Sequence, residues 1–285
     1  MTDSVFESVE RSCAALKLDF CAQELATLAE DQGLSTEGLQ AVALVLNYLS
    51  DKKTDTTIQT LLRLSHLPRK NPKTFENFDF SVIRGRDVER LKNLSSLSAI
   101  YAHRNLAFIG PAGTGKTHLA QAFGYKCCTQ GIKAYFIKMS ELRDKLTAAR
   151  RTGKEYALVS HLVRQSCLII DEVGHCEFDK ENTRLFFDLV DRRYNKEGAY
   201  NIVFTSNKMP SMWRENFNED DALLCALDRI FDDAMVFRFK GESFRGRKLD
   251  TINLHTGRVK GTGLDYSDST IKIVYTGRWL LSTKE

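Results

Sequence analysis

One octapeptide constrains this chain more than any other feature. Residues 110–117 read Gly-Pro-Ala-Gly-Thr-Gly-Lys-Thr and fit the pattern GxxxxGK[ST]. An apolar stretch, 105–109, precedes it and a helical pattern, 118–128, follows it. Strand, glycine-rich turn and helix in that order form a cradle. Glycine lets backbone N–H groups close around phosphate oxygens, and the helix N-terminus adds partial positive charge. Lys116 can reach the β- and γ-phosphates of a nucleotide, and Thr117 can offer its hydroxyl to Mg²⁺. The candidate nucleotide-binding residues are Gly110, Pro111, Ala112, Gly113, Thr114, Gly115, Lys116 and Thr117, with His118 directly after them.

Such a loop works with a second strand that ends in a carboxylate. Cys167–Ile170 runs into Asp171 and Glu172 about 50 residues beyond the loop, with another apolar run, Ala134–Ile137, between. Asp171 would hold Mg²⁺ together with Thr117. Glu172 would orient and polarise an attacking water. Phosphoryl transfer needs positioning and charge neutralisation more than covalent chemistry, so Lys116 counts among the candidate catalytic residues. The next apolar run, Ile202–Phe204, leads into Thr205-Ser206-Asn207, where the Asn207 amide can reach the water or the γ-phosphate. A fifth run, Met235–Phe239, follows. Charged, periodic segments of helical length separate these runs. The pattern predicts an α/β fold, a parallel sheet sandwiched by helices.

The rest of the chain narrows the setting. It has 285 residues, 42% of them hydrophobic, enough for one large domain and a small one. Seven cysteines with no CxxC pair argue against a disulfide framework or a zinc site. His175 and Cys176 have no metal partners near them in sequence, and Cys127, Cys128 and Trp213 read as packing residues. No apolar run approaches the roughly 20 residues of a membrane span, and the polar, acidic start does not read as a signal peptide. A cytoplasmic protein with no membrane partner is expected.

Residues 1–68 carry a net charge of −5 and the remainder +9. An acidic front on a basic body suggests two modules with different partners. Residues 5–67 read as helices, punctuated by Gly33 and by Ser35-Thr36, with a third helix over 55–67 that ends before Pro68 and Pro72. The expected boundaries are a helical module at 1–68 for protein contacts, a linker at 69–80, the α/β domain at 81–249 and a tail at 250–285. A helical stretch at 86–103 should open the α/β domain. Within the tail, 271–275 and 278–281 read either as a hairpin or as loosely ordered chain.

Seven stretches together resemble a known family: KTFENFDFS (73–81), GPAGTGKTHLAQAFGY (110–125), LIIDEVG (168–174), LFFDLVDRRY (185–194), FTSNKMPSMWRENF (204–217), ALDRIFDDA (226–234) and KGESFR (240–245). They are similar to the IstB-like branch of the AAA+ ATPases, helper ATPases of insertion-sequence transposition that stand close to the DnaC-type helicase loaders. The resemblance implies ATP and Mg²⁺ as cofactors and ATP hydrolysis as the activity. It places an arginine finger at Arg229, completing a neighbouring subunit's site, and a second sensor at Arg245, beside a Phe244 that replaces the more usual Tyr. Ala112 replaces the usual loop Pro. The aromatic linker with Phe75, Phe78 and Phe80 resembles one that runs near the adenine, although core packing is the plainer reading of those rings.

Residues 133–154 are strongly basic, and in related initiators and loaders an inserted helical element here faces DNA. Lys138, Arg143, Lys145, Arg150 and Arg151 are the candidate DNA-binding residues; a solvated helix face is the alternative. A second basic run, from Arg238 to Lys260, overlaps the sensor. The implied partners are duplex DNA, further copies of the chain and a transposase. The implied function is an ATP-dependent, DNA-binding transposition helper, with a DnaC-like replicative helicase loader as the alternative.

Overall fold

The computed structural model describes residues 4–85, 87–217, 220–241 and 243–244. Arg245, the 250–285 tail and its candidate hairpin lie outside the described residues.

Three helices open the chain: α1 (Val5–Leu16), α2 (Ala22–Gln32) and α3 (Thr36–Leu64). Local chemistry sets their starts. The Ser4 hydroxyl accepts from the Glu7 N–H while the Glu7 carboxylate accepts from the Ser4 N–H, a capping box. Ser35 caps α3 by accepting from the Gly38 N–H at 3.2 Å. The sequence suggested a break before residue 55, yet α3 runs on for 29 residues. Neither Gly nor Pro interrupts it after Gly38. Thr56 and Thr57 turn their hydroxyls back onto the carbonyls of Lys52 and Lys53 rather than ending the helix. The first half of α3 packs on α1 around Val9, Cys13, Leu25 and Ala43. Its last turns insert Leu61 and Leu62 beside Leu67, Phe75 and Phe123. One helix therefore links the small N-terminal core to the large one.

The predicted helix over 86–103 is broken into α4 (Val88–Lys92), a 3₁₀ turn (Asn93–Ser96) and α5 (Ser98–Tyr101). Leu97, with φ of 59°, makes the corner between them.

Beyond it, five parallel strands form one sheet in the order β2-β3-β4-β1-β5. They are β1 (Leu106–Ile109), β2 (Ala134–Lys138), β3 (Cys167–Asp171), β4 (Asn201–Ser206) and β5 (Met235–Arg238). The connections are α6 (Lys116–Thr129), α7 (Met139–Thr152) with α8 (Glu155–Val163), α9 (Lys180–Tyr194), and a 3₁₀ turn (Pro210–Asn216) followed by α10 (Asp220–Phe231). Side chains alternate between two apolar layers, as period-two strands require. Leu106, Phe108, Ile169 and Val203 face α6, while Ala107, Ile109, Ile170 and Phe204 face the layer of α7 to α10. The expected α/β sandwich is what the chain adopts. Among the described residues no helix is long and apolar enough to cross a membrane.

One buried cation staples the far end of the sheet. Arg193, on α9, is 1% exposed. Its guanidinium donates to the carbonyl oxygens of Leu162, Val163, Gln165, Ser166 and Asn201 at 2.7–3.3 Å. It thus ties the end of α8 to the starts of β3 and β4. Burial lowers its pKa to about 10, so it stays charged at neutral pH. Arg193→Met is expected to cost about 3 kcal/mol, because it orphans several buried carbonyls at once. A urea midpoint unchanged from wild type would contradict that role.

Candidate phosphate site

The loop leaves β1 at Ile109 and enters α6 at Lys116. Gly110 (φ 150°) and Gly115 (φ 90°) hold conformations that disfavour side chains. They also lack the room: a Cβ on Gly110 would lie 2.4 Å from the Phe239 carbonyl oxygen, and one on Gly115 would lie 2.7 Å from the Phe78 ring. The Lys116 side chain folds back over the loop, its Nζ donating to the Pro111 carbonyl at 2.6 Å, and the Thr114 hydroxyl donates to the same oxygen. The Gly110 N–H donates to the Ser206 carbonyl at 3.1 Å, fixing the loop to the end of β4.

Opposite the loop lies Asp171, at the end of β3 and 1% exposed. One carboxylate oxygen, Oδ1, accepts the Thr117 hydroxyl at 2.8 Å and the Thr205 hydroxyl at 2.5 Å. Burial raises the Asp171 pKa, and the two hydroxyls only partly oppose it. A buried carboxylate held this way is poised for a cation. Two hard oxygen donors side by side suit Mg²⁺, which usually completes its shell with water and substrate phosphates. Among the described residues no cluster of three or more His, Cys, Asp or Glu could hold a metal alone. Thr117 and Asp171 thus fit a phosphate-bound Mg²⁺.

Glu172 follows with φ of 61°, an uncommon conformation for a residue with a side chain. Its N–H donates to the Thr205 hydroxyl at 3.0 Å. A single hydroxyl therefore holds both acids, donating to one and accepting from the backbone of the other. The sequence reading assigns a role to Asn207 and none to Thr205. The signal was present in Thr205-Ser206-Asn207, but its partners are 33 and 34 residues away across the sheet. The Glu172 carboxylate is half exposed and accepts from Lys138 Nζ at 3.1 Å. Asn207 Nδ2 lies 3.2 Å from His175 Nε2. The loop, Thr117, Glu172, Thr205 and Asn207 line one cavity of about 320 Å³. His118 also lines it, yet its ring Nε2 sits 3.0 Å from the Thr74 carbonyl and burial lowers its pKa, keeping it neutral at pH 7.

A second cavity of about 580 Å³ adjoins the loop at Thr114. Val82, Ile83, Leu91, Phe237 and Phe239 give it apolar walls. Phe75 and Phe78 are instead buried in the core under α6. This cavity is not legible in the sequence, because its walls come from two segments about 150 residues apart.

The remaining candidates lie elsewhere. Arg229, near the end of α10, borders Ala102, His103 and Asn105 ahead of β1, at the end of the sheet opposite the loop. It pairs with Asp191 at 3.2 Å and stacks over Phe187. One chain cannot bring Arg229 to its own phosphate loop. The basic run divides. Lys138 pairs with Glu172, which lines the cavity. Arg150 is bound by Asp179 and Asn182. Arg143 pairs with Asp144 and Lys145 with Glu141, within α7. Arg151 is exposed on the same helix. Trp213 is a packing residue, 1% exposed, donating to the Ser206 hydroxyl.

Comparison with known proteins adds an independent line. The model of the family described as IstB-like ATP binding protein matches residues 12–251. The putative ATP-binding protein of insertion sequence IS5376 from Geobacillus stearothermophilus is 33% identical over 245 residues, covering 85% of this chain and 95% of that protein. The corresponding protein of IS232 from Bacillus thuringiensis is 28% identical over 242 residues, covering 84% and 94%. Among solved structures, the replication initiator DnaA bound to AMPPCP and single-stranded DNA aligns with a TM-score of 0.50 at 20% identity, over 62% of this chain and 52% of that one. That likeness concerns the fold, which is the P-loop AAA+ arrangement.

The buried acid also yields a stability prediction. A raised pKa means that the ionised carboxylate is disfavoured in the folded state. Asp171→Asn keeps an oxygen for both hydroxyls and removes the charge. The variant should melt above wild type at pH 7, and the gain should shrink as the pH falls through the carboxylate range and wild type protonates. A variant that melts lower at pH 7 would contradict the assigned electrostatics.

Proposed function

The chain belongs to the IstB-like ATP-binding protein family, and we propose that it is an ATP-hydrolysing, DNA-binding helper of an insertion sequence's transposition. The observation that carries the reading is the shared Asp171 oxygen, which sets Thr117, Thr205 and both acids opposite an intact phosphate loop. The names of the insertion-sequence relatives support the biological setting.

ATP is the substrate. The loop N–H groups and Lys116, exchanging the Pro111 carbonyl for phosphate oxygens, would hold the β- and γ-phosphates. The cavity beside Thr114, where apolar walls stand among charged side chains such as Arg84 and Arg238, has room for the base. Mg²⁺ held by Thr117 and Asp171 would neutralise charge on the phosphates. Glu172 would hold a water in line with the γ-phosphorus and draw off its proton. The water oxygen bonds to phosphorus as the bond to the β–γ bridging oxygen breaks, giving ADP and phosphate. Asn207 would fix the water or a γ-oxygen through its amide.

The remote position of Arg229 supports action in trans. In an assembly of side-by-side subunits it would leave Asp191 and face a neighbour's γ-phosphate. ATP would then favour the oligomer. The basic residues Arg143, Lys145 and Arg151 of α7 would follow a duplex backbone without reading bases. The acidic N-terminal module is left for protein contacts, the transposase among them.

Two sets of variants test this. Lys116→Ala should weaken ATP binding by roughly 100-fold, and Glu172→Gln should bind ATP while losing roughly 100-fold or more in turnover. Arg229→Ala should bind ATP without turning it over, and mixing it with Lys116→Ala should restore part of the activity. Mixtures as inactive as their components would remove Arg229 from the site. In the second set, Thr205→Val should lower kcat roughly 10-fold or more with little change in KM, and Thr205→Ser should keep most of it. Equal effects of the two would show that bulk, not the hydroxyl, matters at Thr205.

A further inference from the structure

Lys73 lines the phosphate cavity together with Glu172 and Asn207, although it comes from the segment between α3 and α4. Neighbouring bonds set the backbone around it. Asn77 Nδ2 donates to the Pro72 carbonyl at 2.8 Å, and Asn77 Oδ1 accepts from the Thr74 N–H at 2.9 Å. One amide thus grips the residues on either side of Lys73. The Thr74 carbonyl is bonded to His118 Nε2 at 3.0 Å, directly after Thr117. A carbonyl only accepts, so Nε2 carries the proton. Phe75 and Phe78 are buried in the core, and the Phe78 ring meets His118 edge-on with centroids 5.0 Å apart. The segment is therefore fastened to the first turn of α6 by a hydrogen bond and by a ring contact.

Lys73 itself is uncommitted. It is exposed, and among the described residues it pairs with no carboxylate. Lys116, by contrast, is engaged by the Pro111 carbonyl and Lys138 by Glu172. Burial lowers the His118 pKa, the Thr74 carbonyl opposes this, and the Lys73 charge lowers it again, so the ammonium acts on that ring. A second side chain in the cavity also lacks a partner. Gln121, one turn beyond Thr117 on α6, is only 9% exposed, and its amide makes no hydrogen bond among the described residues. A buried amide left so is costly unless a polar ligand meets it.

Resting on the reading of this cavity as an ATP site, we infer that Lys73 binds the terminal phosphate and makes the cavity prefer the triphosphate to the diphosphate. Glu172 and Asn207 mark the γ end of the cavity, because both would act on the attacking water, and Lys73 shares that space with them. Glu172 and a triphosphate bring like charges into about 320 Å³, and a further cation offsets their repulsion. Lysine is a compact charge on a flexible stem, able to reach a phosphate without a fixed fork geometry. Lys116 holds the loop side of the phosphates, and Lys73 closes on the γ-phosphate from the side of the linker.

The test is calorimetric titration of the full chain, with Mg²⁺, against the non-hydrolysable triphosphate AMPPCP and against ADP. Lys73→Ala should weaken AMPPCP binding roughly 10-fold and ADP binding by less than about 2-fold. Retained ADP binding shows that the variant's site is folded. Lys73→Arg keeps the charge and should stay within about 3-fold of wild type for AMPPCP. Lys70→Ala removes the same charge from an exposed position outside the cavity and should change neither affinity. Unchanged AMPPCP affinity in Lys73→Ala overturns the inference and leaves the ATP site standing. Equal losses for AMPPCP and ADP, or a loss in Lys70→Ala as large as in Lys73→Ala, overturn it too, since Lys73 would then supply only general positive charge. A wild-type chain that binds neither nucleotide overturns this inference and the ATP reading together.

Discussion

A carboxylate buried to 1% exposure needs partners, and Asp171 finds them in two hydroxyls from two other elements. Thr117 comes from the first turn of α6 and Thr205 from the end of β4. The contact exists only because the sheet order sets β4 between β1 and β3. A chain that placed β2 beside β1 would bring the wrong strand end to the loop. The two long crossings over the sheet and the two apolar layers that cover them therefore serve one juxtaposition, that of the loop and the acid. The same hydroxyl on Thr205 then holds Glu172 in its left-handed conformation. The phosphate loop's Thr117, the buried Asp171 and the backbone of Glu172 are thus tied to a single threonine.

How much of this was legible in the sequence follows from how local each signal is. The loop, the Asp171-Glu172 strand end and the alternation of strands and helices read correctly, because each is written in consecutive residues. Ser35 as the cap of α3 belongs to the same class. Contacts between strands far apart in sequence were not legible. Thr205 looks like an ordinary strand residue until Asp171 lies next to it. Lys138 was grouped with the DNA-facing residues on charge alone, yet its place at the end of β2, in register with Asp171, puts it against Glu172. The continuity of α3 was missed for another reason. Its middle turns, Asp51–Thr57, are polar and give no periodic apolar signal, although nothing in them breaks a helix. The corner at Leu97 is the reverse case, a break that no glycine or proline announces.

The two ends of the molecule have contrasting chemistry. At the end of the sheet away from the loop, Arg229 pairs with Asp191 and stacks over Phe187. At the N-terminus, α3 leaves Leu44, Val45 and Tyr48 exposed. On this account nucleotide state and assembly are coupled, because the γ-phosphate is the group that Arg229 would recognise across the boundary.

The central claim is that this site hydrolyses ATP in an assembly formed on duplex DNA. Steady-state ATP hydrolysis, measured alone, with duplex DNA and with single-stranded DNA at two salt concentrations, tests it most directly. The account predicts stimulation by duplex that fades as salt rises, since contacts of basic residues with the DNA backbone weaken with ionic strength. Stimulation by single strands alone, or no turnover under any of these conditions, would contradict it.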